Sequence, residues 1–228
     1  MRIYDTVIVT CPADLDMLEA RFREFQDMNT VHVIAESVAA YDGAAKDVHF
    51  MDSRSRFAAW EGRWNHIKVE ADELPEGDPL ERKNALREYL LHGVTGEPDD
   101  IVLHGGVEEI PSASLLPELE QAILPVTFEM RQCIWRPHIL HPDLWRGTVA
   151  ATRSKVRSLT DLHGSKHDLP MLKNGGTRIV LPGGEVQSRY EDGRMVQETE
   201  VDDTWPRYIA GGHHPASWRT CELENPPR

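Results

Sequence analysis

The chain has 228 residues, 40% of them hydrophobic and 28% charged, with a formal net charge of -13. That length suits one large domain with a sizeable core, and the composition is that of a globular protein. The acidic balance opposes non-specific binding to nucleic acid or anionic membrane. Three widely spaced cysteines (Cys11, Cys133, Cys221) argue against a disulfide framework or a zinc ribbon, and no apolar run reaches the roughly 18 residues of a membrane span.

In chain order, YDTVIVT (4–10) is β-branched and apolar and predicts a buried strand. Pro12 and Asp14 mark a helix start, and Leu15, Leu18, Phe22 and Phe25 give that helix one apolar face, with Asp16, Glu19, Arg21 and Arg23 expected on the solvated side. TVHVIAES (30–37) predicts a second strand, which completes a βαβ unit and points to a parallel α/β sheet. A short helix is expected over 53–62 and a strand over 65–71, followed by a loop punctuated by Pro75, Gly77 and Pro79. An amphipathic helix follows over 80–94, with Leu80, Ala85, Leu86, Tyr89 and Leu90 as its buried face and Arg82, Lys83, Arg87 and Glu88 in solvent. A buried strand spans 99–104, a helix 112–123, and an antiparallel strand 126–135. Further strands are expected at 146–152 and 177–183, and a helix around 193–201. Trp60, Trp64, Trp135 and Trp145 are expected in the core, with one or two free to stack on a sugar or base. With no linker or repeat, the chain reads as one domain over 1–228, an α/β half (1–125) and a more irregular half (126–228).

The stretch DDIVLHGGVEEIPS (99–112) carries the chemistry. Open parallel sheets bind ligands beyond the carboxyl ends of their strands. Here a buried strand delivers two glycines, which allow a turn and close approach of a ligand, and then the acids Glu108 and Glu109. Such acids can hold a divalent cation that neutralises a diphosphate, or stand in water as an ordinary loop.

Several segments, in order, resemble glycosyltransferase family 17, the group that includes the β-1,4-mannosyl-glycoprotein N-acetylglucosaminyltransferases. IYDTVIVT and DLDMLEARFREF are similar to its opening strand and N-E-L-D-L-L-E-I-R-L helix; VHVIAESVAAYDG to F-V-I-V-E-(A/S)-x-x-T-F-x-G; ERKNALREYL to Q-R-N-A-L. DDIVLHGGVEEIPS resembles D-D-I-V-I-I-S-D-V-D-E-I-P, and LWRGTVAAT and NGGTRIVLPGG resemble W-x-G-T and G-G-W-H-F-S-Y-F-G-G. The likeness spans about residues 2–184. It implies a GT-A-like α/β fold with a mostly parallel central sheet and flanking helices. It also implies sugar transfer from a nucleoside-diphosphate-sugar, a UDP-sugar first, to an acceptor hydroxyl, with residues 1–125 on the donor side and 126–228 on the acceptor side.

The resemblance also assigns roles. The catalytic base is Glu109 by preference, or Glu108, in an inverting displacement. Thr10, Glu36, Lys83, Asn84, His104, Gly106 and Arg178 form the donor-binding set, although from the residues alone Lys83 reads more readily as a solvated helix charge and His104 as a satisfied buried histidine. The departures are specific. The first Asp of the family's D-V-D is Gly106, the second is Glu108, and the family's Trp-His is Thr177-Arg178. A cation (Mn or Mg) would then need Glu108 with a substitute such as His213 or His214. Otherwise Arg178 and Lys83 neutralise the diphosphate without metal, or activity is lost. Retained activity is favoured because Glu36, Asn84 and Glu109 stay in place.

The glycine-flanked GGHHP (211–215) is a candidate lid or a surface loop. The acceptor is a glycan, a protein or a hydroxylated base in DNA. The acidic balance speaks against DNA, and the arginine-rich segment RGTVAATRSKVR (146–157) speaks for it. A non-catalytic nucleotide-sugar or glycan-binding protein is the alternative from another class. Few cysteines and the absence of a leader-like opening point to a cytoplasmic protein with no membrane partner.

Overall fold

A computed structural model of the chain describes residues 1–134, 139–141, 143–180 and 197–198. The first part is β1 (Ile3–Ile8), α1 (Asp14–Glu24), β2 (Thr30–Ser37), α2 (His49–Asp52), a 3-10 segment (Arg54–Trp60), β3 (Trp64–Val69), α3 (Pro79–Tyr89) and β4 (Ile101–His104). It continues with β5 (Glu109–Pro111), α4 (Leu116–Gln121), β6 (Val126–Ile134), β7 (Ile139–Leu140), β8 (Trp145–Thr152), α5 (Leu159–Gly164), β9 (Met171–Val180) and β10 (Gln197–Glu198).

These strands form one mixed sheet in the order β10-β7-β6-β8-β4-β1-β2-β3, with β9 pairing β6 and β5. β3, β2, β1 and β4 are parallel, as the βαβ pattern requires. β8 lies antiparallel to β4, so a single sheet runs across position 125. β6 pairs antiparallel with β8 and β7 but parallel with β9.

Alternation along each strand sends side chains to two cores. Val7 and Ile34 pack with Leu15, Leu18 and Phe22 of α1 and with Phe50 and Phe57 on one face. Tyr4, Val33, Ala35 and Val102 pack with Leu86 of α3, Leu90 just after it and Leu159 of α5 on the other. α3 starts at Asp78, whose carboxylate accepts the Leu80 N–H at 2.8 Å, with Pro79 in the first turn. Leu80, expected in the core, is 59% exposed because it lies in that first turn, before the helix reaches the sheet.

The larger correction concerns α1. Arg21, assigned above to the solvated face, has no exposed surface. Its Nε donates to Asp5 Oδ2 at 2.9 Å, and its Nη2 donates to the other carboxylate oxygen. Its Nη1 donates to the Gly106 carbonyl at 3.0 Å and also to the Glu109 carbonyl. His32 completes the cluster, its Nδ1 2.9 Å from Asp5 and its ring stacked on Phe22 at 3.8 Å. Burial opposes the Asp5 charge, but Arg21 and then the His32 hydrogen bond hold its carboxyl well below the usual range. Burial keeps His32 neutral, so its Nδ1–H is the donor.

The helix expected around 193–201 is not seen where described: Gln197–Glu198 pair antiparallel with β7. Trp135 and the 211–215 segment lie outside the described residues.

Removing one member of a buried ion pair strands the other. Arg21→Ala should therefore destabilise the chain by about 3–5 kcal/mol in urea unfolding, whereas an apolar replacement of both Asp5 and Arg21 should cost less than either single change. A loss below about 1 kcal/mol for Arg21→Ala would mean that the pair is not desolvated.

Candidate functional site

β2 and β3 lie to one side of β1 and β4 to the other, so the chain leaving β1 and the chain leaving β4 diverge. A parallel sheet opens a crevice at such a switch point. A cleft of about 420 Å³ sits there, with Ile8 and Thr10 leaving β1 on one rim and His104 to Glu109 leaving β4 on the other.

The floor is acidic. Gly106 to Glu109 form a tight turn, the Glu109 N–H donating to the Gly106 carbonyl at 3.0 Å, and the Glu108 carbonyl accepts the Ile179 N–H of β9 at 2.9 Å. The Glu109 side chain, 2% exposed, accepts the Trp145 indole N–H at 2.6 Å and the Thr148 hydroxyl at 3.3 Å. Burial, and then the neighbouring Glu108, raises its pKa. A Cβ at residue 105 would fall 2.5 Å from both Glu109 Oε2 and Thr148 Oγ1, so only glycine leaves room for this carboxylate. Neither Gly105 nor Gly106 has positive φ, so they supply space rather than the unusual turn expected of them. Positive φ is found instead at Gly176 (134°), where a Cβ would meet the Ile110 carbonyl at 2.2 Å as β5 closes on β9.

Glu108 is the more open acid, its side chain 35% exposed and 3.6 Å from Arg178 Nε. It folds back over the turn, so a Cβ at residue 106 would meet Glu108 Oε2 at 2.2 Å. The space left at residue 106 is the space the Glu108 carboxylate occupies.

The facing wall is cationic. Arg178 lies opposite Glu109 in the β5–β9 register, stacks over the Trp145 ring at 3.9 Å, and donates to Gln132 Oε1 at 3.1 Å. Lys166 Nζ is 4.7 Å from the same ring, and burial lowers its pKa. Arg146 fastens the segment that carries Lys166 by donating to the carbonyls of Lys166, His167 and Leu169, each at 3.0 Å. From α3 come exposed Lys83 and, one turn on, Arg87, which is only 7% exposed.

Two histidines complete the lining. His104 Nδ1 is 3.0 Å from Thr6 Oγ1, whose own proton goes to the Leu103 carbonyl, so the imidazole donates there. Burial keeps it neutral, well below the usual range. His163 meets it edge-on at 5.6 Å.

Of the residues singled out from the sequence, the structure brings Thr10, Lys83, His104, Gly106, Glu108, Glu109 and Arg178 around this cleft. Glu36 is elsewhere. Its fully buried carboxylate accepts the backbone N–H groups of His49 and Phe50 and meets His66 Nε2 at 3.0 Å, which caps α2 and leaves nothing for a donor. Asn84 turns to Arg87, accepting from its Nη1 at 2.7 Å, and does not line the cleft. His213 lies outside the described residues. Arg87, Lys166, His163 and Trp145 were missed as site residues, although Lys83 and Arg87 share a helix face by their spacing alone.

The chain matches the sequence model of glycosyltransferase family 17 over residues 1–175. It belongs to that family. No curated protein sequence matches it. Among solved structures, it is similar to the galactosyltransferase LgtC in complex with donor and acceptor sugar analogs, at 12% identity and a TM-score of 0.43, covering 74% of this chain and 66% of that one. An active-site mutant of LgtC matches at 12% identity and a TM-score of 0.40, covering 74% of this chain and 65% of that one. The chain thus spans just under two thirds of either structure.

A divalent cation, expected from the family resemblance, fits this member's residues poorly. Among the described residues no three His, Cys, Asp or Glu side chains converge. Both Glu109 oxygens already accept hydrogen bonds, Glu108 faces Arg178, and Gly106 offers no ligand.

Burial of Glu109 sets a pH signature. A carboxyl with a raised folded pKa stabilises the fold below the unfolded value, about 4.3, and that contribution is lost as pH rises through the raised value. Glu109→Gln removes the loss. Its Tm relative to wild type should therefore climb as pH rises above about 4.3 and level off once the wild-type carboxyl has ionised. A constant difference would show that the carboxylate is solvated.

Proposed function

We propose that this family 17 chain is a GT-A-like glycosyltransferase, moving a sugar from a nucleoside-diphosphate-sugar to an acceptor hydroxyl. A UDP-sugar is the first donor to test. The observation that carries the reading is the pairing of an acidic turn with a cationic wall across one cleft at the sheet's switch point. The cations receive the diphosphate and the acid receives a proton.

Of the two acids, Glu108 is the better base. Glu109 is held by Trp145 and Thr148 and buried beneath the turn, whereas the Glu108 carboxylate is open to the cleft. Glu109 acts as a positioning residue that fixes Trp145 under Arg178. Glu108 takes the acceptor proton as the acceptor oxygen bonds to the anomeric carbon. The bond from that carbon to the phosphate oxygen breaks, and its electron pair leaves on the diphosphate. One base and no enzyme nucleophile make this an inverting displacement.

A glycan or protein hydroxyl fits the acceptor role better than a DNA base. Most of the arginine-rich segment that favoured DNA is engaged internally, leaving Arg157 exposed: Arg146 caps three carbonyls, Arg153 donates to Val94 and Lys155 to Leu124. Among the described residues no helix is long and apolar enough to cross a membrane. The Cys11 thiol, in no disulfide among the described residues, is compatible with the proposed cytoplasmic setting. The missing carboxylate at Gly106 favours the second reading, a binding protein without transfer.

Glu108→Gln should lower kcat for donor turnover about 10²–10⁴-fold with little change in donor KM. A panel of UDP- and GDP-sugars, assayed for nucleoside diphosphate release, provides the measurement. A change confined to KM would make Glu108 a binding group instead, and donor binding with no turnover would favour the binding protein.

A further inference from the structure

Arg87 stands out from the rest of the cationic wall. Its guanidinium is buried on α3 at the cleft, yet among the described residues it forms no ion pair. Among those residues its one hydrogen-bond partner is the neutral Asn84 amide oxygen and its Nε has none; the nearest favourable charge, Glu88, is itself bonded to Ser158, Leu159 and Thr160. A buried cation without an anion carries a desolvation penalty that a bound anion would relieve. His163 reports the same uncompensated field: burial, and then Arg87, Lys166 and Lys83, push its imidazole down to about 4, and its Nδ1 is also unpartnered.

Among the described residues the acids opposite gather no metal site, because Gly106 supplies no ligand and Glu108 lies over it. An anion site short of an anion thus faces a metal site short of ligands. We propose that Arg87, with Lys83, Lys166 and Arg178, takes the place of the divalent cation, binding the donor diphosphate and neutralising it as it leaves, so that donor binding and turnover need no metal. Fixed guanidinium and ammonium groups can do this directly. They point donors at developing phosphate charge and require no reorganisation during the reaction. Asn84 is then a positioning residue, holding Arg87 toward the cleft. The inference rests on the transferase reading and sharpens it.

The test uses the full chain, stripped with EDTA. UDP, GDP and inorganic pyrophosphate are titrated by calorimetry in EDTA and again with added Mn²⁺. At least one nucleoside diphosphate should bind equally well, within about twofold, in both conditions. Arg87→Gln should weaken it at least about tenfold and Arg87→Lys less. Should Arg87→Gln fail to fold, Lys83→Met at the exposed rim should still weaken binding several-fold. Asn84→Ala should raise donor KM more than it lowers kcat. Gly106→Asp should make binding respond to Mn²⁺, because Glu108 must swing out and a second carboxylate then adjoins it.

Binding or turnover that disappears in EDTA and returns with Mn²⁺ overturns the proposal while leaving the transferase reading intact. Equal affinity in wild type, Arg87→Gln and Lys83→Met also overturns it. Metal-free nucleotide binding without turnover of any sugar donor upholds the diphosphate site and removes the transferase reading. No binding of any probe in either condition removes both.

Discussion

One buried guanidinium ties the site to the fold. Arg21 projects from α1, takes both oxygens of Asp5 on β1, and offers its remaining donor to the carbonyls at the two ends of the acidic turn. Helix, central strand and functional turn therefore share one charged group with no access to water. A neutral side chain of the same size could not satisfy Asp5 and the two carbonyls together. The pair is better understood as a device for placing the turn than as a source of net stability, because desolvation offsets much of its attraction.

Glycines on the turn and on β8 make the next layer possible. Gly105 leaves room for the Glu109 carboxylate, and at Gly147 a Cβ would press on the Met130 sulfur at 2.6 Å and on Glu109 at 3.3 Å. Glu109 can then sit under the cleft and hold the Trp145 indole, and that ring in turn supports Arg178 and Lys166. The chain of contacts runs from a buried acid through an aromatic ring to the cations at the mouth. Each step exchanges a solvated group for a fixed one, which is how a polar site becomes preorganised.

Much of this was legible in the sequence, and the failures share a cause. The β1-α1-β2 unit and the acid turn after β4 follow from hydrophobic period and glycine placement, which are local properties. Arg21 and Arg87 were assigned to solvent because a charge on a helix usually is solvated. Nothing local reveals that Asp5 waits 16 residues away or that α3 turns Arg87 inward. Glu36 misled in the opposite direction, since a strand-end acid looks available until α2 folds over it. β5 and the first half of β9 carry weak periodicity and exist because they pair with each other. Trp145 looked like core because indoles usually are, and its place under two cations depends on three separate strands.

The clamp at Arg21 also bears on how the turn moves. Connecting segments on protein surfaces commonly fluctuate open at small free-energy cost. The segment from Gly106 to Glu109 cannot do so without stripping the buried Arg21 guanidinium of its bonds to the Gly106 and Glu109 carbonyls, while Ile179 holds it from the other side. The main-chain amide of Glu109, bonded to the Gly106 carbonyl, is thereby tied to that clamp. Rearrangement of the cleft is therefore cheaper at its rim than at this acidic floor.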